Sequence, residues 1–268
     1  MTTDLDVRAI PLQPFGLLVR SNRAGVPVDS LPATMLREWT DRHLVLVLRG
    51  FAPLAGGDLE GYCRTWGELL TWDFGAVFDL AFEENPRNYL FDSKDVPFHW
   101  DGAFATATPR YFVFQCLYAP TGAGGGETVF CDTTAALRSL SPADQAEFAG
   151  TAFRYRTEKL AHYGGDVEYP LVSPHPRTGE LRLRYAEPLA SEHYRNPLTV
   201  ELVAGPDGRH STARVTERLA SLLRESGYRY EHEWQSGDLM FVDNERLLHG
   251  RNAFRGEPSR RLQRVQIL

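Results

Sequence analysis

The segment Phe98-His99-Trp100-Asp101-Gly102 sets an imidazole and a carboxylate two positions apart. In an extended segment alternate side chains leave from one face, so His99 and Asp101 would project together. That is half of a metal site. Far along the chain, Leu247-Leu248-His249-Gly250-Arg251 offers a second imidazole. Two histidines and one carboxylate, with open positions opposite, form the ligand set that suits non-heme Fe(II) oxygen chemistry. H-x-D alone is a common tripeptide, and its weight here comes from the residues that accompany it.

A centre of this kind that works with a dicarboxylic 2-oxo acid must also hold the distal carboxylate, because a buried charge needs a partner. Arginine meets that need through its two-pronged guanidinium. Arg260, Arg261 and Arg264 follow His249 on a predicted final strand. Arg260 and Arg264 would share a face, with Arg261 turned away. A hydroxyl beside the guanidinium is expected from Thr128, in Gly125-Gly126-Glu127-Thr128.

The elements that must position these groups lie in a chain of 268 residues, read as one domain over 1–268. Hydrophobic residues at 43% and aromatics at 12% suit a sheet-rich globular core. Net charge is −6 and the 29 Lys and Arg are dispersed, which argues against a nucleic-acid or anionic-membrane partner and for a small-molecule substrate. Assembly into a homo-oligomer is compatible with this composition. Three cysteines, Cys63, Cys116 and Cys131, with no C-x-x-C, argue against a disulfide framework. No signal pattern and no apolar run near the ~18 residues of a membrane span is found, so a cytoplasmic location is expected.

Helical spacing predicts helices over Leu31–Arg42, Asp58–Leu70 and Thr212–Ser226, and Ser141-Pro142 starts another that Gly150 ends. Strands are predicted over His43–Leu48, Tyr111–Tyr118, Ala152–Arg156, Leu181–Tyr185, Tyr228–Trp234, Leu239–Val242 and Leu262–Leu268. The chain thus opens helix, strand, helix, and Phe74 to Asp95 reads as a loop ahead of the His99 strand. The glycine run from Gly122 to Gly126 lacks the G-K-[ST] ending of a phosphate loop.

H-W-D, G-G-E-T, G-D-L-M-F-V-D-N-E-R-L-L-H-G-R and R-R-L-Q-R-V-Q-I together resemble the TauD/TfdA family of Fe(II)- and 2-oxoglutarate-dependent dioxygenases. The match runs from Pro97 to the C-terminus. The resemblance implies a mainly β fold with flanking helices, the double-stranded β-helix or jelly roll. It also implies His99, Asp101 and His249 as iron ligands, Thr128 as a 2-oxoglutarate contact, and O2 as the second co-substrate. Arg264 fits the clavaminate synthase register of the co-substrate arginine and is ranked first; Arg260 fits the taurine dioxygenase register and is left for the co-substrate or an acidic substrate group. H-W-D-G-A-F, P-R-Y-F-V-F-Q-C, E-T-V-F-C-D-T-T-A-A-L and L-R-Y-A-E-P are similar to the PvcB-like branch, which acts on amino-acid-derived isonitriles or related metabolites in biosynthesis. That branch implies desaturation or oxidative decarboxylation as readily as hydroxylation. Related halogenases lack the carboxylate ligand, so Asp101 argues against halogenation.

Two other classes are weighed against this reading. A zinc-dependent hydrolase could use the same three ligands and a metal-bound water, but has no use for Thr128 or the terminal arginines and needs no O2. A non-catalytic jelly-roll binding module would be expected to have lost a ligand. His43, His162, His175, His193, His210 and His232 read as surface or satisfied histidines, with His162 a remote substrate contact. Trp72, Tyr89, Phe91 and Phe104 are either pocket wall or plain core, and Glu187 reads as a loop charge.

Overall fold

The computed structural model describes residues 6–54, 58–105, 107–120, 122, 124–160, 163–189, 194, 197–205, 212–255 and 259–268. Two facing sheets form a double-stranded β-helix. The larger has seven strands in the spatial order Val7–Pro11, Leu17–Ser21, Val45–Arg49, Leu239–Asp243, Tyr111–Tyr118, Arg261–Ile267 and Val77–Ala81. The smaller has four, Arg229–His232, Thr128–Asp132, Leu247–Arg251 and Val96–His99.

Strands buried on both faces read as unbroken apolar runs, and their alternate side chains fill different layers. Met240 and Val242 point between the sheets, onto Phe112, Phe130 and Leu247. Leu239 and Phe241 point outward, onto the helices Ala33–His43 and Asp58–Arg64 through Leu36, Leu59 and Tyr62. The outer face of the smaller sheet is covered by the helix Thr212–Leu223, whose Val215, Leu219 and Leu222 join Phe98, Val129 and Leu248. No described helix is long and apolar enough to cross a membrane.

The strand Tyr111–Tyr118 stands as predicted, and so does the helix Pro142–Ala149, where Ser141 Oγ accepts from the Asp144 amide. Elsewhere the structure differs. Three strands, Val7–Pro11, Leu17–Ser21 and the short Val26–Pro27, precede the first helix; Leu17–Ser21 pairs in parallel with Val45–Arg49, a long-range contact with no local sign. The predicted helix Asp58–Leu70 stops at Arg64, since the Thr65 and Trp66 amides donate to carbonyls only three residues back and the Leu70 amide is drawn to Gln266 O. The expected loop from Phe74 holds the edge strand Val77–Ala81, with Phe78 opposite Arg264. The last long helix ends at Leu223, short of the predicted Ser226, which begins a 3-10 turn instead.

Phe241 is fully buried and stacks on Trp66 with ring centroids 4.4 Å apart. Phe241→Ala is expected to lower stability by about 3–5 kcal/mol, read from chemical denaturation of the intact chain.

Candidate active site

The strand Val96–His99 ends at His99, and Asp101 is carried by the turn that follows. The two side chains converge, though not by alternation along one strand as expected. Gly102 makes the turn at φ 94°, where a Cβ would fall 2.6 Å from Pro109 Cδ, so only glycine fits. Asn244, fully buried, fixes the turn: its Oδ1 accepts from the Asp101 amide at 3.0 Å and its Nδ2 donates to Asp101 O at 3.0 Å.

His249 pairs opposite His99 across two antiparallel strands. Opposite residues share a face, and the two rings lie 4.3 Å apart. Beside them the register shifts at Gly250, where a Cβ would fall 2.5 Å from Val96 O. Asp101 Oδ1 lies 3.8 Å from Nε2 of each histidine. His99 Nδ1 is 2.9 Å from Pro97 O, a carbonyl that can only accept, so Nδ1 carries the hydrogen and Nε2 keeps its lone pair.

Burial holds both imidazoles below their usual range, His249 well below it, where the neighbouring His99 adds to the effect. Burial pushes the Asp101 carboxyl upward, but the Arg264 guanidinium and the two imidazoles outweigh it and hold Asp101 below the ordinary carboxylate range. Asp101 Oδ2 and both nitrogens of His249 are buried with no hydrogen-bond partner. Orphaned, deprotonated donors in a dry site fit a divalent cation.

Thr128, Arg260 and Arg264 line one cleft together with both histidines. Arg264 Nη1 lies 3.1 Å from Asp101 Oδ1, so its charge is already paired. Arg260 is buried, donates to Gly126 O, and lies over the Phe254 ring at 5.4 Å. Among the described residues no carboxylate forms an ion pair with Arg260, its Nε has no partner, and burial pushes the guanidinium down to about 9. Thr128 Oγ1 accepts from Trp234 Nε1 at 2.9 Å. On the far side of His99 and Asp101 a cavity of about 430 Å³ is walled by Trp72, Phe74, Phe78, Tyr89 and Phe104. Phe91 backs Phe78.

Sequence reasoning missed Asn244, Arg251 and Glu187. Arg251 is buried and donates to three backbone carbonyls, Leu90 O, Asp92 O and Lys94 O, tying the cavity wall to the His249 strand. Glu187 lies in irregular chain after Leu181–Leu183, as expected, but it is buried and bonded to the His99 strand instead of being solvated. Only its type at a buried position would have betrayed it. His232 is held by Tyr230 and Asp238. His175 lies near Asp243 and Glu245, but Arg177 occupies both carboxylates. His162, His193 and His210 lie outside the described residues.

The family described as taurine catabolism dioxygenase TauD, TfdA matches residues 11–266. The chain is 46% identical over 259 residues to 3-((Z)-2-isocyanoethenyl)-1H-indole synthase of Fischerella ambigua, covering 96% of this chain and 94% of that one. It is 37% identical to tyrosine isonitrile desaturase of Pseudomonas aeruginosa, across 99% of this chain and 94% of that one. The solved structure of PvcB, an Fe, alpha-ketoglutarate dependent oxygenase from an isonitrile synthetic pathway, superposes with a TM-score of 0.80 at 33% identity, covering 100% of this chain and 93% of that one. The hydrolase and binding-module alternatives fall with these matches. With the family pattern running through almost the whole sequence, the chain belongs to the TauD/TfdA family and is a non-heme Fe(II)- and 2-oxoglutarate-dependent oxygenase.

Proposed function

We propose that the enzyme desaturates an isonitrile derived from an aromatic amino acid, as a cytoplasmic step in a biosynthetic pathway. The observation that carries this reading is the aromatic cavity opening on His99 and Asp101. Aromatic rings favour edge-on and offset contacts with other rings, so such walls suit an indole or phenol side chain. The relatives' names point the same way: one makes an isocyanoethenyl indole and the other desaturates a tyrosine isonitrile. Three buried, unpaired thiols, Cys63, Cys116 and Cys131, suit a reducing compartment.

In this reading His99, Asp101 and His249 hold the iron. Bound Fe(II) couples O2 reduction to decarboxylation of 2-oxoglutarate, giving succinate, CO2 and the oxidising power to remove hydrogen from C–H bonds. The substrate loses two hydrogens from adjacent atoms, and the second oxygen atom of O2 leaves as water. Pro97 O keeps the hydrogen of His99 on Nδ1, so Nε2 faces the centre. Arg264 fixes and ionises Asp101. Arg260, a buried cation without its anion, takes the distal carboxylate of 2-oxoglutarate. Thr128 already accepts from Trp234, so its own hydroxyl hydrogen is directed to that carboxylate. This reverses the ranking that favoured Arg264. The aromatic walls exclude water from the reacting carbon.

His99→Ala or His249→Ala is expected to abolish Fe(II) binding in an anaerobic titration; retention of affinity in both sinks the ligand assignment. Arg260→Ala should weaken 2-oxoglutarate binding by about 2 kcal/mol or more, and an equal or larger loss in Arg264→Ala would return the role to Arg264. Isonitriles derived from tryptophan and tyrosine are expected to drive succinate release with formation of an alkene, identified by mass spectrometry. Release without loss of two hydrogens from the substrate would replace desaturation by another oxidation.

A further inference from the structure

The His99 strand is the outer strand of the smaller sheet. One side pairs with the His249 strand, and the peptide groups of Phe98 face the open edge. A single residue closes that edge. The Glu187 amide donates to Phe98 O at 2.8 Å, and Glu187 Oε2 accepts from the Phe98 amide at 2.8 Å. Glu187 therefore supplies one side-chain and one main-chain partner where a neighbouring strand would have supplied two backbone groups. Pro188 follows and has no amide to donate, so the pairing ends there. The carboxylate is aimed by Arg224 of the helix Thr212–Leu223 and its C-terminal turn, with Nη1 at 2.5 Å from Oε1 and Nη2 at 3.0 Å from Oε2. Glu187 is 7% exposed, and with His99 it lines a small cavity beside the aromatic one.

We propose that Glu187 is a positioning residue for iron binding: by clamping both peptide groups of Phe98 it fixes the backbone from which His99 reaches the metal. This rests on the reading of His99 as an iron ligand. The carboxylate accepts from the Phe98 amide and from both terminal nitrogens of Arg224, and its proposed role is to hold the strand through these bonds. Partners that orient metal-binding histidines set affinity as strongly as some ligands do.

The test is anaerobic Fe(II) titration of the full chain with 2-oxoglutarate, following the visible charge-transfer band, beside thermal melts of the metal-free variants. Glu187→Asp keeps the charge facing Arg224 but draws the acceptor back from the Phe98 amide. Glu187→Gln keeps the acceptor and loses the charge, and Arg224→Met leaves the acceptor in place. Glu187→Asp is expected to weaken Fe(II) binding about tenfold and to shift the band, with Glu187→Gln and Arg224→Met within about threefold of wild type. Wild-type affinity and an unshifted band in Glu187→Asp, with only a lowered melting temperature, would show a merely structural role and overturn the proposal. Equal losses in Glu187→Gln and Glu187→Asp would overturn it too, by assigning the effect to the ion pair. His99→Ala is run alongside: if it still binds Fe(II), the ligand reading fails and this proposal fails with it, whereas a dead His99→Ala beside an unaffected Glu187→Asp removes the clamp alone.

Discussion

Antiparallel registration of His249 against His99 is the constraint on which the site depends. Side-chain direction in a strand has a period of two, so a slip by one residue would turn His249 out of the space between the sheets and into the outer layer. Register is held from both sides. Leu247 packs between the sheets onto Phe112 and Phe130, and Leu248 packs outward against Phe98 and Val129, so any slip would exchange two well-filled layers. Gly250 then lets the two backbones close to a distance no other residue allows. The hydrophobic layers, built for stability, thereby place two imbalanced polar groups within reach of one ion.

Buried charge is the second organising feature, and its distribution is uneven. Asp101 has Arg264, Glu187 has Arg224, and Arg251 is spread over three carbonyls. Each of these residues meets a backbone segment that borders the site: Arg264 through Asp101 the following turn, Glu187 through its bonds to Phe98 the His99 strand, and Arg251 the wall from Leu90 to Lys94. Breaking the Asp101–Arg264 pair, buried on both sides, leaves a charge that must be desolvated alone, which costs roughly 3–5 kcal/mol, whereas Arg224 is half exposed and its pair with Glu187 is screened by solvent. Asn244 meets the Asp101 turn with neutral groups, answering both peptide groups of Asp101.

Much of this was legible in the sequence where one residue type can do one job. His99, Asp101 and His249 stood out because a facial ligand set needs those donors, and Thr128 and the arginines because a dicarboxylate needs a cation and a hydroxyl. Tyr111–Tyr118 and the Ser141 cap were legible because β-branched and aromatic density and N-capping are local. What failed was set by distant partners. Val77–Ala81 is a half-buried edge strand that exists because Arg261–Ile267 pairs with it, and the helix from Asp58 ends early because its next residues are taken by Gln266 and Ile267. The order of Arg260 and Arg264 was not readable either. Both lie near the same face, and only the place of Asp101 shows that one is already paired.

Arg264 lines both the cleft that holds Arg260 and Thr128 and the aromatic cavity, so the ion pair with Asp101 stands between them. On one side lie Arg260 and Thr128; on the other lie the rings of Trp72, Phe74, Phe78, Tyr89 and Phe104. On the proposed assignment a dicarboxylate is drawn to the cleft by the charge of Arg260. With 2-oxoglutarate assigned to Arg260 as proposed, a ligand that pairs this buried guanidinium returns its desolvation cost as binding, so affinity for the co-substrate and stability of the fold would be linked through one side chain. An aromatic substrate offers no such compensation to Arg260 and gains most from the rings opposite. On this reading the co-substrate and the substrate would be told apart by charge on one side of Arg264 and by ring contacts on the other.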